Sequence, residues 1–203
     1  MSEPLLLIGC GGHARSLIDV VESSGHWHVM GLVGLIDQVG EEVLGYPVLG
    51  CDQDLPMLRQ KCSHALLAIG QIGSPSTRQR LGSELVHLEF ELPVVISGRA
   101  YVSRHAKLGE GISVGHGVIV NAGATVGDYC ILNSNALIEH DAVIGNYCHV
   151  STGVLVNGGV KVGDSSFIGS GTVLREGLSL PPQTVISAGK RVMGWPMLKE
   201  YSQ

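Results

Sequence analysis

Glu139, His140 and Asp141 stand consecutively in the sequence and combine one histidine with two carboxylates. Imidazole titrates near neutrality, so a histidine can take up a proton at working pH. A carboxylate beside it fixes the tautomer of the ring and stabilises the imidazolium. The segment is therefore a candidate for proton transfer in which either Asp141 or Glu139 orients His140. The alternative is a surface histidine with no role in catalysis.

A second candidate site is the glycine-rich segment 9–13, which reads Gly-Cys-Gly-Gly-His. Apolar residues 4–9 predict a short buried strand before the turn, and the apolar spacing of residues 16–24 predicts a helix after it. A strand, a glycine-rich turn and a helix form the phosphate-binding element of Rossmann-like folds, in which the glycines let the backbone approach a diphosphate. The alternative is that the glycines only make a tight turn.

A repeat of six residues sets the elements that must position the Glu-His-Asp segment. Each of the sixteen positions spaced six residues apart from Val102 to Val192 is aliphatic. A period of six fits neither a helix nor an alternating strand, and it is typical of a parallel β-helix built from hexapeptide repeats. Three short strands then make one coil of 18 residues with the aliphatic side chains inside, and about five coils stack as a solenoid.

Stacking also predicts which residues share an edge of the solenoid, because positions 18 apart lie above one another. One column of residues between the strands is made of glycines, and a second is partly glycine. The third column is polar and contains Glu139, directly before His140 and Asp141, so we expect the chemistry on this edge. The polar column consists of Ser103, Asn121, Glu139, Asn157 and Arg175.

The residues in front of the repeat predict a Rossmann-like α/β domain at 1–96, followed by the solenoid at 97–203 with a short capping tail at 197–203. About 95 residues is half the size of a full dinucleotide-binding domain, so a mononucleotide or a nucleotide-sugar fits better than NAD. Asp37, after the second predicted strand, stands where a ribose-binding carboxylate is common. Further strands are predicted at 29–36, 46–50, 64–69 and 91–96, and helices at 54–62 and 75–85.

Composition limits the classes of function. The formal net charge is -5 without a basic run, which argues against a nucleic-acid partner. No apolar run approaches membrane-spanning length, and residues 5–8 lack the basic flank of a signal peptide. Five cysteines without paired spacing indicate a reducing cytosol. Cys130 and Cys148 occupy inward-facing positions, where we expect core packing rather than metal binding.

The two parts of the chain together resemble one family over nearly the full length. The motifs are Gly-x-Gly-Gly-His at 9–13, Ile-Asp at 36–37, Ala-Ile-Gly at 68–70, and Ile-Glu-His-Asp at 138–141. This combination resembles the nucleotide-sugar acetyltransferases that include the bacillosamine-pathway and perosamine N-acetyltransferases and the so-called sialic acid O-acetyltransferases. Gln38 departs from the bacillosamine type, which has a second acidic residue there, so the nucleotide stays open.

The resemblance implies a left-handed β-helix, a cytoplasmic homotrimer with active sites between subunits, and acetyl-CoA as co-substrate without a metal. By the family pattern His140 is the general base, with Asp141 or Glu139 beside it. The nucleotide-sugar would be bound by Gly11, Gly12, His13, Asp37, Gln38, Ile69, Gly70 and Gln71. Acetyl-CoA would be contacted by His149, Gly158, Ser170 and Ala188.

The favoured function is N-acetylation of a UDP- or GDP-linked 4-amino-deoxy sugar in surface glycan biosynthesis, and O-acetylation of a sugar or sialic acid is its near variant. A β-helical carbonic anhydrase would need three histidines converging on zinc, which the spacing of the histidines at 105, 116, 140 and 149 does not match. A non-catalytic trimeric nucleotide-binding protein is the remaining alternative. The Glu-His-Asp segment argues against it.

Overall fold

The computed structural model of the protein describes residues 2–196, so the predicted tail at 197–203 lies outside the described residues. The first domain is a five-stranded sheet of order β3-β4-β2-β1-β5, in which only β3 is antiparallel to its neighbour. Its elements are β1 (Glu3–Ile8), α1 (Gly12–Ser24), β2 (Trp27–Gly34), β3 (Glu42–Val43), β4 (Tyr46–Cys51), α2 (Leu55–Arg59), β5 (Ala65–Leu67) and α3 (Ser76–His87).

Strand β1 is apolar from Leu5 to Ile8 because both of its faces are covered there. Leu5 and Leu7 pack with α1 on one side of the sheet, whereas Leu6 and Ile8 pack with α2 and α3 on the other. All four side chains are almost completely buried. A central parallel strand covered by helices on both faces requires this pattern, and its carboxyl end leads into the glycine-rich turn.

Three predicted boundaries in this domain are wrong. Helix α1 begins at Gly12 rather than at residue 16, so His13 lies in its first turn. Strand β2 ends at Gly34, and the chain then makes a 3₁₀ turn at Ile36–Gln38 that contains Asp37. Of the predicted strand 91–96 only Val95–Ile96 forms, and it pairs with Ser113–Val114 of the solenoid, whereas Pro93 before it has no N–H to donate to a ladder.

Residues 95–192 form a three-sided parallel β-helix of two-residue strands, whose faces we number 1 to 3. Within each face every strand except the last pairs with the strand 18 residues further on. Face 1 consists of Tyr101–Val102, Ile119–Val120, Leu137–Ile138, Leu155–Val156, Val173–Leu174 and Arg191–Val192. Face 2 consists of Lys107–Leu108, Thr125–Val126, Val143–Ile144, Lys161–Val162 and Ser179–Leu180. Face 3 consists of Val95–Ile96, Ser113–Val114, Ile131–Leu132, His149–Val150, Phe167–Ile168 and Val185–Ile186.

In each of these strands the second residue points into the solenoid and the first points outward. The inward residues, such as Val120, Ile138 and Val156, are fully buried and form one continuous core. The predicted hexapeptide position is therefore the core position. The outward residues determine what each face can contact.

The first domain packs against face 3, whose outward residues Ser113, Ile131 and His149 are buried beneath it. Polar groups also join the two parts. Gln71 Nε2 donates to the carbonyl of Tyr147 at 2.8 Å, and Gln79 Nε2 donates to Oγ of Ser165 at 3.2 Å. In residues 2–196 no helix is long and apolar enough to cross a membrane.

Candidate active site

His140 lies on the edge between faces 1 and 2, in the turn that follows Leu137–Ile138. Its Nδ1 is 3.0 Å from Oδ2 of Asp141. Glu139 does not contact the ring, because its Oε2 accepts the backbone N–H of His140 at 3.1 Å and Nδ2 of Asn121 at 2.9 Å. The side chain of Asp141 therefore orients the imidazole, and that of Glu139 holds the turn in place.

The backbone of Asp141 is in the left-handed region, with φ near 60°. The residues stacked with it at the same point of neighbouring coils are Gly123, Gly159 and Gly177, which have φ of 78°, 64° and 69°. An L-residue pays a steric cost in this conformation that glycine avoids. The chain thus places a carboxylate where the fold favours glycine, and strain of this kind clusters at functional sites.

The hydrogen bond that Asp141 accepts from His140 raises the pKa of His140 above its usual value, and the charges of Asp141, Glu139 and Glu176 add to the effect. The histidine side chain is 59% exposed. It borders an open cavity of about 580 Å³ on the outside of the solenoid. The cavity is lined by Glu139, His140, Asn157, Gly158, Val173, Arg175, Glu176, Arg191 and Met193.

A second cavity, of about 360 Å³, lies in the first domain at the carboxyl ends of its parallel strands. Gly11, Gly12 and His13 line it, together with Gln38, Ile69 and Gly70. Gly11 is the N-cap of α1 and offers no side-chain hydrogen bond, so the first N–H groups of the helix are available to an anion. Other lining residues include Cys10, Leu35, Asp52, Thr77 and Arg80.

Sequence reasoning missed Asp52, Thr77 and Arg80 as lining residues. Nη2 of Arg80 is 2.8 Å from Oδ2 of Asp52, which joins α3 to the turn that follows β4. The sequence offered one signal for these residues, namely that they follow predicted strands of a parallel sheet. The carboxyl ends of such strands meet at one edge. Which residues after each strand turn inward depends on loop conformation and is not visible in the sequence.

Two of the predicted binding residues do not reach this cavity. Asp37 is exposed in the 3₁₀ turn, because β2 ends earlier than predicted, and Gln38 points inward instead. Oε1 of Gln38 accepts the N–H of Leu35 at 2.9 Å. Gln71 is buried against the solenoid, where its side chain bonds to the carbonyl of Tyr147. Its position joins the two parts of the chain.

His149 is 6% exposed in the chain, so its ring is not on an open surface. Nδ1 lies 2.7 Å from the carbonyl oxygen of Gln71, and burial lowers the pKa of the ring. The ring of His13 is 6.4 Å away, and burial lowers the pKa of His13 to about 3. Both imidazoles are therefore neutral at physiological pH.

A buried cation lies beside these two histidines. Arg78 is 2% exposed and donates to the carbonyls of Leu67, Ile69 and Tyr129 at 3.3, 2.5 and 2.8 Å. Burial lowers the pKa of Arg78 to about 10, and the charge of Arg78 lowers the pKa values of His13 and His149. The arginine therefore ties the first domain to the solenoid.

The other residues that the resemblance assigns to acetyl-CoA lie on two different edges. Gly158 lies next to His140 in the same cavity. Ser170 and Ala188 are exposed on the edge between faces 3 and 1, where Oγ of Ser170 is 2.9 Å from Oγ of Ser151. A single chain therefore does not bring Ser170 or Ala188 to His140.

Ser97, His116 and Asp19 form a chain of polar contacts where α1 meets the solenoid. Oγ of Ser97 is 2.6 Å from Nδ1 of His116, and Oδ2 of Asp19 is 2.9 Å from Nε2. The residue types are those of a hydrolase triad. Ser97 is only 2% exposed, however, so its hydroxyl cannot reach a substrate, and the contacts hold α1 on the solenoid.

In the part of the chain that the structure describes, no three His, Cys, Asp or Glu side chains are grouped to hold a metal ion. Cys130 and Cys148 lie in the solenoid core, where their thiols contact the carbonyls of Gly145 and Gly163 at 3.0 and 3.3 Å.

Comparison with known proteins identifies relatives of both parts of the chain. Residues 4–85 match the family described as the PglD N-terminal domain. Perosamine N-acetyltransferase from Caulobacter crescentus, solved in complex with CoA and GDP-perosamine, is 35% identical with a TM-score of 0.86, over 94% of this chain and 90% of that one. The acetyltransferase domain of PglB from Neisseria gonorrhoeae, in complex with acetyl coenzyme A, is 28% identical with a TM-score of 0.86, over 96% and 92%.

WeeI from Acinetobacter baumannii has the same fold, with a TM-score of 0.71 at 19% identity over 95% of this chain and 96% of that one. No curated protein sequence matches the chain. The predicted fold class, an α/β Rossmann-like domain followed by a left-handed parallel β-helix, is confirmed.

Proposed function

The chain belongs to the hexapeptide-repeat family of nucleotide-sugar acetyltransferases, and from that premise we propose that it acetylates the amine of a nucleotide-linked amino-deoxy sugar with acetyl-CoA. The observation that carries the proposal is the pairing of His140 Nδ1 with Asp141 at 3.0 Å beside an open cavity. The relatives bound to CoA, to acetyl coenzyme A and to GDP-perosamine support the choice of both substrates.

In the proposed reaction His140 is the general base. When its Nδ1–H donates to Asp141, Nε2 carries the lone pair. A sugar amine attacks the thioester carbonyl in its neutral form and loses a proton to Nε2 as the C–N bond forms. Collapse of the tetrahedral intermediate breaks the C–S bond, and the departing CoA thiolate takes the proton from the imidazolium. The products are an amide and a free thiol.

Gly158 supplies the donor that stabilises the oxyanion in this proposal. Among the hydrogen bonds of residues 2–196, the backbone N–H of Gly158 has no acceptor. This amide lies beside the ring of His140, in the same cavity. A fixed amide dipole aimed at the developing negative charge lowers the barrier without reorganisation.

The cavity of the first domain is the proposed site for the nucleotide-sugar. The uncapped start of α1, with Gly11 and Gly12, suits a diphosphate, and the guanidinium of Arg80, held by Asp52, also lines the cavity. Gly9 permits this backbone path, because it has φ near 122° and a Cβ there would lie 2.9 Å from the carbonyl oxygen of Ala68. His13 and Gln38 complete the wall nearest the helix.

We also propose that the active protein is a homotrimer, because face 1 is an uncovered apolar surface. Face 3 is covered by the first domain, and the outward residues of face 2 include Lys107 and Lys161. Face 1 instead presents five apolar side chains in a row beside the edge carrying His140, and the row ends at Arg191. The row consists of Tyr101, Ile119, Leu137, Leu155 and Val173.

A site between subunits also accounts for the separation of the proposed binding residues. No residue lines both the cavity at His140 and the cavity of the first domain. A neighbouring chain packed on face 1 would bring a second edge, with residues equivalent to Ser170 and Ala188, towards His140. The proposed trimer thus assembles one site from parts of two chains.

The setting that we propose is the cytosol, with the product used for surface glycan assembly. All five cysteines are free, in the order Cys10, Cys51, Cys62, Cys130 and Cys148. Free thiols of this number are typical of a reducing compartment.

The test is release of thiol from acetyl-CoA against a panel of UDP- and GDP-linked 4-amino sugars, with hydroxyl-only counterparts alongside. Replacing His140 by Ala should lower turnover about 10²- to 10⁴-fold, the usual contribution of a general base. His105→Ala is the matched control, because His105 is an exposed histidine on the same edge of the solenoid. Its turnover should be unchanged.

Full turnover in His140→Ala would remove the histidine from the mechanism. Thiol release with the hydroxyl acceptors alone would assign O-acetylation instead of N-acetylation. Absence of release with every acceptor would reject the acetyltransferase proposal.

A further inference from the structure

The cavity beside His140 continues along the solenoid well beyond the histidine, and two arginines lie at its far end. In the strand register Leu137 pairs with Leu155, Leu155 with Val173, and Val173 with Arg191. Because paired strands lie about 4.8 Å apart, Arg191 is about 14 Å along the axis from the level of Leu137. Arg175 is two coils beyond Glu139 in the polar column, at about 10 Å.

Neither arginine has a partner within the described residues. Among residues 2–196 the side chains of Arg175 and Arg191 make no hydrogen bond, and no carboxylate lies within 4.0 Å of either guanidinium. Arg80, in contrast, binds the two carboxylates of Asp52 and Glu84, and Arg78 binds three carbonyls. Two unpaired guanidinium groups in one open cavity make its far end a site for an anion.

The lining carries one carboxylate at each end. Glu139 directly precedes His140, whereas Glu176 directly follows Arg175, two coils further along, so the two arginines outnumber the single carboxylate at the far end. Between the histidine and Arg191 the wall includes Asn157 and Val173, and Met193 lies beside Arg191; all three are uncharged. An occupant that fits would be long, uncharged in the middle and negatively charged at one end.

We propose that Arg175 and Arg191 bind the phosphate groups of the coenzyme A thioester, and so hold its acetyl group at His140. The proposal rests on the proposed function, since it assigns the donor to this cavity. The phosphates of CoA are joined to the thioester by an uncharged pantetheine arm, which matches the lining. The planar guanidinium fork of arginine matches phosphate oxygens in a bidentate manner.

These contacts would act on binding and not on the chemical step. The phosphates do not change charge as the acetyl group is transferred, so the arginines bind ground state and transition state equally. Removing them should raise KM for acetyl-CoA and leave kcat unchanged. The contact is also ionic and exposed, so salt should weaken it.

The test compares two donors, acetyl-CoA and S-acetylpantetheine, which carries the same thioester but no phosphate. In the double variant Arg175→Met/Arg191→Met, KM for acetyl-CoA should rise about 10- to 100-fold, the effect of losing charge-assisted hydrogen bonds. KM for S-acetylpantetheine should not change. Arg191→Lys should recover part of the affinity, and Lys161→Met, on face 2 and outside the cavity, is the control.

An equal rise in KM for both donors, or no rise for acetyl-CoA, would overturn the assignment. A rise confined to KM for the nucleotide-sugar would show that the arginines bind the phosphates of the acceptor. That result would also overturn the assignment. Calorimetric titration of the unsubstituted protein and the double variant with CoA alone decides the point without turnover. Unchanged CoA affinity there rejects this inference, whereas absence of thiol release with any acceptor rejects only the proposed function.

Discussion

The ring of His140 lies directly against the α-carbon of Gly158, one coil further along the solenoid. A Cβ at Gly158 would stand 2.6 Å from Nε2 and 2.7 Å from Cε1 of the imidazole. The turn itself does not demand glycine at this position, since the left-handed φ belongs to the next residue, Gly159. The missing side chain makes room for the histidine, so the glycine is part of the proposed site.

Replacing Gly158 by Ala should therefore impair turnover while leaving the solenoid folded. The new methyl group would displace the ring of His140, and misplacing a catalytic group by about 1 Å can cost about 100-fold in rate. Thermal unfolding followed by circular dichroism should show little change. In the His140→Ala background the same substitution should have no further effect on turnover, as expected for residues that act together. Additive losses would place the effect of Gly158 elsewhere.

The pH dependence of turnover should report the hydrogen bond between Asp141 and His140. The bond raises the pKa of His140, and a general base works only when neutral, so activity falls as pH drops through that raised value. In Asp141→Asn the pKa should fall, which moves the acidic limb of the pH profile to lower pH while the maximal rate decreases. Glu139→Gln should shift the limb less, because its carboxylate bonds to the backbone N–H. If the acidic limb shifts further in Glu139→Gln than in Asp141→Asn, then Glu139 and not Asp141 orients the imidazole.

Replacing Asp141 by Gly should affect stability and turnover in different ways. Its φ of 60° is strained for aspartate and favourable for glycine, so Asp141→Gly removes a penalty of about 1 kcal/mol in the folded state. Part of this gain in the free energy of unfolding is lost, because glycine increases the conformational entropy of the unfolded chain. The melting temperature should therefore stay equal or rise, while turnover falls. A clear loss of thermal stability would show that the carboxylate supports the fold.

The assembly proposal can be tested with a matched pair of surface residues. Leu155 on face 1 is 37% exposed and Val143 on face 2 is 38% exposed. A charge buried in an apolar interface is costly, so Leu155→Glu should convert the trimer to monomers in light scattering and abolish turnover. Val143→Glu should remain trimeric and active. Dissociation caused by Val143→Glu alone would move the interface to face 2.

The sequence by itself determined the solenoid. An aliphatic residue at every sixth position can be buried throughout only if each hexapeptide forms one side of a three-sided coil. The same period placed Glu139, His140 and Asp141 on one edge and stacked Gly158 beside them. The glycine-rich turn likewise located the cavity of the first domain. These features are local or strictly periodic, so neighbours along the chain are enough to specify them.

The tertiary structure decided which of the outward residues are available. Ile131 on face 3 and Ile119 on face 1 have the same place in the repeat, but the first domain covers only Ile131. The same docking made His149 and Gln71 contacts between the two parts of the chain. Asp37 lies outside the cavity because β2 ends earlier than predicted. Docking of one domain on another depends on contacts between residues distant in sequence, and no local pattern records them.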